Sequence, residues 1–157
     1  MSVNEGQIAP NFSLTDTNGN TVSLDQLRGK YVVLYFYPRD DTPGCTKEAC
    51  GFRDLWDEIK ARNTEVIGVS PDSPQAHQKF VEKYNLPFTL LCDTDRAVMK
   101  MYGAFGEKMM YGKKTMGVIR STAIIDPDGV IVKHWKRVPK AADHPAKVLE
   151  FMVQQTD

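Results

Sequence analysis

The residues of this 157-residue chain whose type and placement could do chemistry are its three cysteines, Cys45, Cys50 and Cys92. The informative segment is Pro38-Arg39-Asp40-Asp41-Thr42-Pro43-Gly44-Cys45-Thr46-Lys47-Glu48-Ala49-Cys50. Thr42 followed by Pro43 reads as a helix N-cap and first helical position, because threonine satisfies free amides and proline needs no amide there. Cys45 then falls in the first helical turn. There the unpaired N–H groups and the positive end of the helix dipole favour thiolate over thiol, the condition that makes cysteine a nucleophile. Gly44 leaves room for close approach to the backbone.

Cys50 lies five residues on. Along a helix that is a rise of ~7.5 Å and a rotation of ~140°, which places the two Cα atoms roughly 8–9 Å apart, beyond the ~7 Å at which a disulfide closes without backbone movement. If these two cysteines pair, the start of the helix must unwind first. A reduced, fully folded state would then carry out chemistry, and an oxidised, locally unfolded state would present the disulfide to a reductant. The plainer alternative is that both are small buried residues of a helix.

Other cysteine chemistries fit less well. The chain has no C-x-x-C and no H-x-x-x-H spacing, so zinc sites and dithiol oxidoreductase motifs are weak readings. His77, His134 and His144 could activate a thiol in principle, but nothing local ties them to Cys45, and surface or packing roles are expected. Cys92, after Leu90-Leu91, is expected to be inert packing in a strand. Met99, Met101, Met109 and Met110 are read as core or loop packing.

The elements that must position Cys45 are legible from periodicity. Phe12 to Leu24 alternates around Asn18-Gly19 and predicts a β-hairpin. Tyr31 to Tyr37, a continuous aromatic and β-branched run between Gly29 and Pro38, predicts a strand buried on both faces. Pro43 to Arg62 carries Phe52, Leu55, Trp56 and Ile59 at helical spacing. Val66 to Val69 follows as strand, Gln75 to Tyr84 as helix, Phe88 to Leu91 as strand and Arg96 to Met101 as helix. That βαβαβα order argues for a largely parallel sheet covered by helices. Thr122 to Ile125 and Val130 to Trp135, flanking Pro127-Asp128-Gly129, predict an antiparallel pair, and Pro145 to Met152 a final helix. The expected fold is α/β, a thioredoxin-like mixed sheet flanked by helices with an N-terminal hairpin extension. One domain over residues 1–157 is expected. Cys45 would sit beyond the end of a central strand, where open α/β sheets place their sites.

Bulk properties exclude several classes. Twenty basic residues balance twenty acidic ones, and 41% of residues are hydrophobic, so neither disorder nor an electrostatic footprint for nucleic acid is indicated. The local basic run from Lys133 to Lys140 reads as a solvated face. No secretory signal opens the sequence, and no apolar run is long enough for a membrane span. A cytoplasmic location is expected, where any disulfide would be transient and catalytic.

Pro38, Thr42 and Cys45 reproduce the P-x-x-x-T-x-x-C signature of peroxiredoxins, and Thr-Pro-Gly-Cys-Thr-x-Glu-Ala-Cys resembles the bacterioferritin-comigratory, or Q-type, subfamily. The resemblance extends to Ala9-Pro10-Asn11-Phe12, Tyr35-Phe36-Tyr37-Pro38, Met110-Tyr111-Gly112-Lys113 and Gly117-x-x-Arg120-Ser121-Thr122. It implies that Cys45 is the peroxidatic cysteine and Cys50 the resolving one. It also implies that Thr42 hydrogen-bonds the peroxide, that Arg120 favours the thiolate and steadies the oxygens, and that Glu48 orients Arg120. Pro38 is expected to shield the site from water. The substrates implied are hydrogen peroxide and organic hydroperoxides. Thioredoxin or a similar dithiol is the expected reductant, a monomer the expected state, and neither metal nor organic cofactor is called for. Two rivals remain open: a redox sensor that passes its disulfide to a target, and a non-catalytic thioredoxin-like module. Rapid turnover with thioredoxin would argue against the first, and an unactivated Cys45 would favour the second.

Overall fold

The computed structural model describes residues 3–156. In chain order its elements are β1 (Ser13–Asp16), β2 (Thr21–Ser23), β3 (Tyr31–Phe36), α1 (Pro43–Asp54), α2 (Trp56–Lys60), β4 (Thr64–Ser70), α3 (Pro74–Tyr84) and β5 (Thr89–Cys92). They continue with α4 (Ala97–Met101), β6 (Phe105–Met110), β7 (Lys113–Val118), β8 (Ser121–Ile125), β9 (Ile131–Trp135) and α5 (His144–Thr156). Single 3₁₀ turns cover Leu24–Leu27 and Ala141–Asp143.

Seven strands form one mixed sheet in the order β2-β1-β5-β4-β3-β8-β9, with β3, β4 and β5 parallel and the outer pairings antiparallel. The run from Tyr31 explains the position of β3. Val32, Leu34 and Phe36 enter the apolar cluster on one face of the sheet, while Val33, Tyr35 and Tyr37 enter the cluster on the other. A strand with both faces committed in this way belongs in the interior of a sheet. The second cluster is covered by helices, through Cys45, Ala49 and Phe52 of α1, Phe80 of α3, and Val148 and Met152 of α5. Gly51 allows the close meeting of α1 with α5, since a Cβ there would stand 2.7 Å from Pro145 Cγ.

Two expectations are refined and one element is new. The helix read as one span from Pro43 to Arg62 is two, broken at Leu55 (φ −100°, ψ 5°). No proline or glycine marks the break, so the apolar spacing runs straight through it. The N-terminal hairpin is tied into the main sheet, because Thr15 of β1 also pairs with Cys92 of β5. The β6–β7 hairpin lies outside the sequence reading altogether. Its turn at Tyr111 (φ 55°) and Gly112 (φ 77°) is the left-handed pair a two-residue hairpin requires. Met109 and Met116 are exposed, and among the described residues burial of apolar side chains is confined to Val118 and half-buried Phe105 at the base of the hairpin, so little apolar alternation betrays the strand period. Of the other methionines, Met99 is buried, Met101 is exposed, and the Met110 side chain lies outside the described residues. No described helix is long and apolar enough to cross a membrane.

Candidate active site

The parallel centre of the sheet ends at Phe36, and the chain then turns through residues 37–42 into α1. Thr42 occupies the N-cap position with extended backbone (φ −98°, ψ 157°) and Pro43 opens the helix. The expected side-chain cap is not made. Instead the Thr42 hydroxyl donates to the Arg39 carbonyl at 2.8 Å, while the Thr42 carbonyl accepts the Thr46 N–H at 2.8 Å. The hydroxyl is drawn back toward the loop because Arg39 offers a carbonyl three residues upstream.

Cys45 sits in the first turn of α1 with 1% of its surface exposed. The antiparallel pairing of β8 with β3, Ser121 opposite Phe36, brings Arg120 beside the same end of the sheet. Its guanidinium forks: Nη2 donates to Cys45 Sγ at 3.3 Å and Nη1 donates to Glu48 Oε1 at 2.7 Å. A sulfur carrying negative charge is the better acceptor of that bond. Gly44 makes the approach possible, since a Cβ there would stand 3.1 Å from Arg120 Nη2.

Glu48 lies one turn after Cys45 and is fully buried. Burial pushes its carboxyl up to about 7, against the opposing pull of Arg120. Its Oε2 has no hydrogen-bond partner among the described residues. Burial also works against the Arg120 charge, but Glu48 and Cys45 together outweigh it and hold the guanidinium pKa above its ordinary value.

Pro38 borders an open cleft of about 340 Å³ that ends on Arg120, with Ile119 and Val138 as apolar walls and Lys108 and Arg137 as cations. A larger open depression of about 810 Å³, among Tyr31, Arg62, Asn63 and Thr156, holds none of the motif residues. The chemistry and this larger hollow therefore lie apart.

All three cysteines are free thiols. Cys50 is half-buried further along α1, so folded helical geometry keeps it out of disulfide reach of Cys45. Cys92 is buried at the end of β5, and burial, followed by the charges of Asp40, Asp16 and Asp72, pushes its thiol up to about 11. That favours the unreactive thiol form.

The histidines do not meet Cys45. His144 is buried, bonded to Thr122 Oγ1 at 2.8 Å and edge-on to Trp135, and burial pushes it down to about 4. His134 is half-buried. His77 is fully buried and held between Asp40 and the Leu91 carbonyl. Its burial opposes the charged form, yet Asp40 more than offsets this and raises its pKa above the ordinary histidine value. Sequence reasoning missed the partnership of Asp40, Asp72 and His77 behind the loop. Asp40 stood inside the motif segment, but nothing in the spacing of Asp72 or His77 connects them to it.

Comparison with known proteins identifies the family. The model of the AhpC/TSA family matches residues 6–134. A protein named putative peroxiredoxin bcp from Coxiella burnetii is 52% identical over 149 residues, covering 95% of this chain and 98% of its own length. Peroxiredoxin Bcp of Bacillus subtilis is 44% identical over 157 residues, covering 100% of this chain and 99% of its own. Among solved structures, a cysteine-to-serine variant of Xylella fastidiosa PrxQ superposes with a TM-score of 0.92 at 32% identity, over 100% of this chain and 99% of that one. The bacterioferritin comigratory protein of Xanthomonas campestris, whose structures concern alkyl peroxide reduction, gives 0.87 at 35% identity, over 93% and 92%. With its thioredoxin-like fold, a family model over most of its length and relatives 44–52% identical over nearly all of it, the chain belongs to the AhpC/TSA family and is a peroxiredoxin of the Bcp, or Q, type, a peroxidase.

Proposed function

We propose that the chain reduces hydrogen peroxide and alkyl hydroperoxides through Cys45, resolves the oxidised sulfur with Cys50, and is recycled by thioredoxin or a similar dithiol. The observation that carries this reading is the Arg120 fork, which joins Cys45 Sγ at 3.3 Å and buried Glu48 at 2.7 Å. A fixed cation at the sulfur favours thiolate and meets the negative charge that develops on the peroxide oxygens. Alkyl peroxide reduction by the Xanthomonas relative supports the substrate class, as does the partly apolar cleft beside Pro38.

In the first step the Cys45 thiolate attacks one peroxide oxygen in line with the O–O bond. That bond breaks, the sulfur gains an oxygen as sulfenic acid, and the departing oxygen takes a proton to leave as water or alcohol. Thr42, whose own proton is given to Arg39, accepts the hydrogen bond of the bound hydroperoxide. Pro38 shields the sulfur from bulk water. The first turns of α1 then unwind, and the Cys50 sulfur displaces water from the sulfenic acid to form a disulfide. Exchange with an external dithiol returns both thiols and leaves the reductant oxidised. A reducing compartment, the cytoplasm, suits this cycle; the peroxidase is read as one domain acting as a monomer in antioxidant defence.

The test is single-turnover oxidation with one equivalent of hydrogen peroxide followed by peptide mapping. A Cys45–Cys50 disulfide is expected. Cys45→Ser abolishes peroxide consumption, and Cys50→Ser permits one oxidation but blocks thioredoxin-supported turnover. Retained turnover in Cys45→Ser would sink the assignment, and full turnover in Cys50→Ser would transfer the resolving role elsewhere.

A further inference from the structure

Behind the loop that carries Thr42 lies a polar network, buried at Asp40 and His77 and half-buried at Asp72, that the peroxidase cycle does not use. We propose that Asp72, supported by Asp40 and His77, is a positioning residue for the Thr42 hydroxyl: it clamps the Arg39–Asp40 peptide so that Thr42 donates its proton inward and offers lone pairs to the peroxide. This rests on the reading of Cys45 and Thr42 given above.

The two edges of a single peptide unit carry the argument. Its carbonyl, on Arg39, accepts the Thr42 hydroxyl at 2.8 Å. Its N–H, on Asp40, donates to Asp72 Oδ2 at 2.8 Å. A peptide whose N–H is bound to a carboxylate has a more strongly accepting carbonyl, because successive hydrogen bonds polarise one another. Asp72 is itself held, since the Ser70 hydroxyl donates to the same Oδ2 at 2.6 Å and Ser70 is fully buried.

The Asp40 side chain anchors the next atoms of the loop. Tyr37 donates its hydroxyl to Oδ1 at 2.6 Å, and His77 Nδ1 meets Oδ2 at 2.5 Å. The other ring nitrogen of His77 lies 3.0 Å from the Leu91 carbonyl. A carbonyl can only accept, so Nε2 carries a proton. The Nδ1–Oδ2 contact then needs a second proton between its two atoms. Asp40 and His77 therefore share that proton, and both carboxylate oxygens of Asp40 are committed. Oxygen and nitrogen atoms of Asp40, Asp72 and His77 lie within 4.8 Å of one another, but these hydrogen bonds account for the grouping without a cation.

The consequence falls on Thr42. A hydroxyl has one proton and two lone pairs. With the proton committed to Arg39, only acceptor positions face the substrate, and a hydroperoxide has one proton to give. Freed from the clamped peptide, the hydroxyl can rotate and present its proton instead, which competes with the productive hydrogen bond.

A double-mutant cycle between Asp72 and Thr42 tests this, read by the rate of Cys45 oxidation by hydrogen peroxide and by the rate of its alkylation by iodoacetamide, which offers Thr42 no peroxide proton. Asp72→Ala is expected to slow oxidation roughly tenfold, the scale of one lost hydrogen bond of about 1.4 kcal/mol, and to leave alkylation unchanged. Asp72→Asn, which keeps an acceptor oxygen, restores most of the rate. In a Thr42→Val background, Asp72→Ala costs less than about twofold more. The proposal is overturned if Asp72→Ala slows Thr42→Val as much as the parent, or if alkylation falls together with oxidation. A Thr42→Val variant as fast as the parent overturns the assigned role of Thr42 and this inference with it, whereas Cys45→Ser separately tests the peroxidase reading.

Discussion

Replacing Glu48 by glutamine should remove a specific pH dependence from the stability of the protein. Glu48 is fully buried and its carboxyl is pushed from 4.5 up to about 7, by burial first and against the attraction of Arg120. A carboxyl with a raised pKa binds its proton more tightly in the folded chain than in the unfolded one. Its contribution is thus fully present below the unfolded value and is lost as pH rises through about 7. Between pH 5 and pH 8 the loss amounts to about 2–3 kcal/mol at 1.36 kcal/mol per pH unit. Glutamine cannot titrate. Urea unfolding of both proteins at pH 5 and pH 8, with the thiols kept reduced, gives the comparison. The constant cost of weakening the Arg120 pair cancels in the difference between the two pH values, as do the contributions of groups that do not touch the Glu48–Arg120–Cys45 fork, His77 among them. Stability of the parent should fall by about 2–3 kcal/mol more across this window than stability of the variant. Equal pH slopes in the two proteins would refute the reasoning and show that Glu48 is ionised throughout.

Further outcomes follow from the same geometry. Arg120→Met removes both arms of the fork to Cys45 and Glu48 and should slow single-turnover oxidation of Cys45 by about a hundredfold, the usual scale for one oriented charge donor. A loss below threefold in a folded variant would contradict the assigned role. Gly44→Ala places a methyl group 3.1 Å from Arg120 Nη2, so peroxide oxidation should slow severalfold while urea stability changes by no more than about 1 kcal/mol; an unchanged rate would show that the guanidinium has room to move. Cys92→Ala should leave peroxide turnover unchanged. In the parent at pH 8, iodoacetamide followed by mass mapping should label Cys45 well before Cys92, whose thiol is held up to about 11. Prior labelling of Cys92 would contradict that order.

The sequence by itself determined the strand before the motif and the helix after it. Seven successive residues from Tyr31 to Tyr37 are β-branched or large and apolar, and such a segment is stable only with both faces covered. It determined the position of Cys45 as well, because a threonine-proline pair favours a helix start from local backbone geometry alone. The hairpin turns at Asn18-Gly19 and Pro127-Asp128-Gly129 were legible for the same reason: Asp16 and Asp126 receive local backbone amides, and both glycines take positive φ. Arg120 became a candidate through family resemblance, since it is 75 residues from Cys45 and no local spacing links them.

Tertiary structure decided the rest. The β8–β3 register carries Arg120 to the sulfur, and that register depends on which residues face the two apolar clusters. Burial of Glu48 depends on the close cover of α1, and its charge state follows from that burial. The Thr42 hydroxyl turns to Arg39 in preference to the helix amides, and His77, expected at the surface or in packing, lies buried against Asp40. These contacts bring together residues between three and 75 positions apart. Most have no periodic signature, because the groups they join meet only when the sheet and helices close around them.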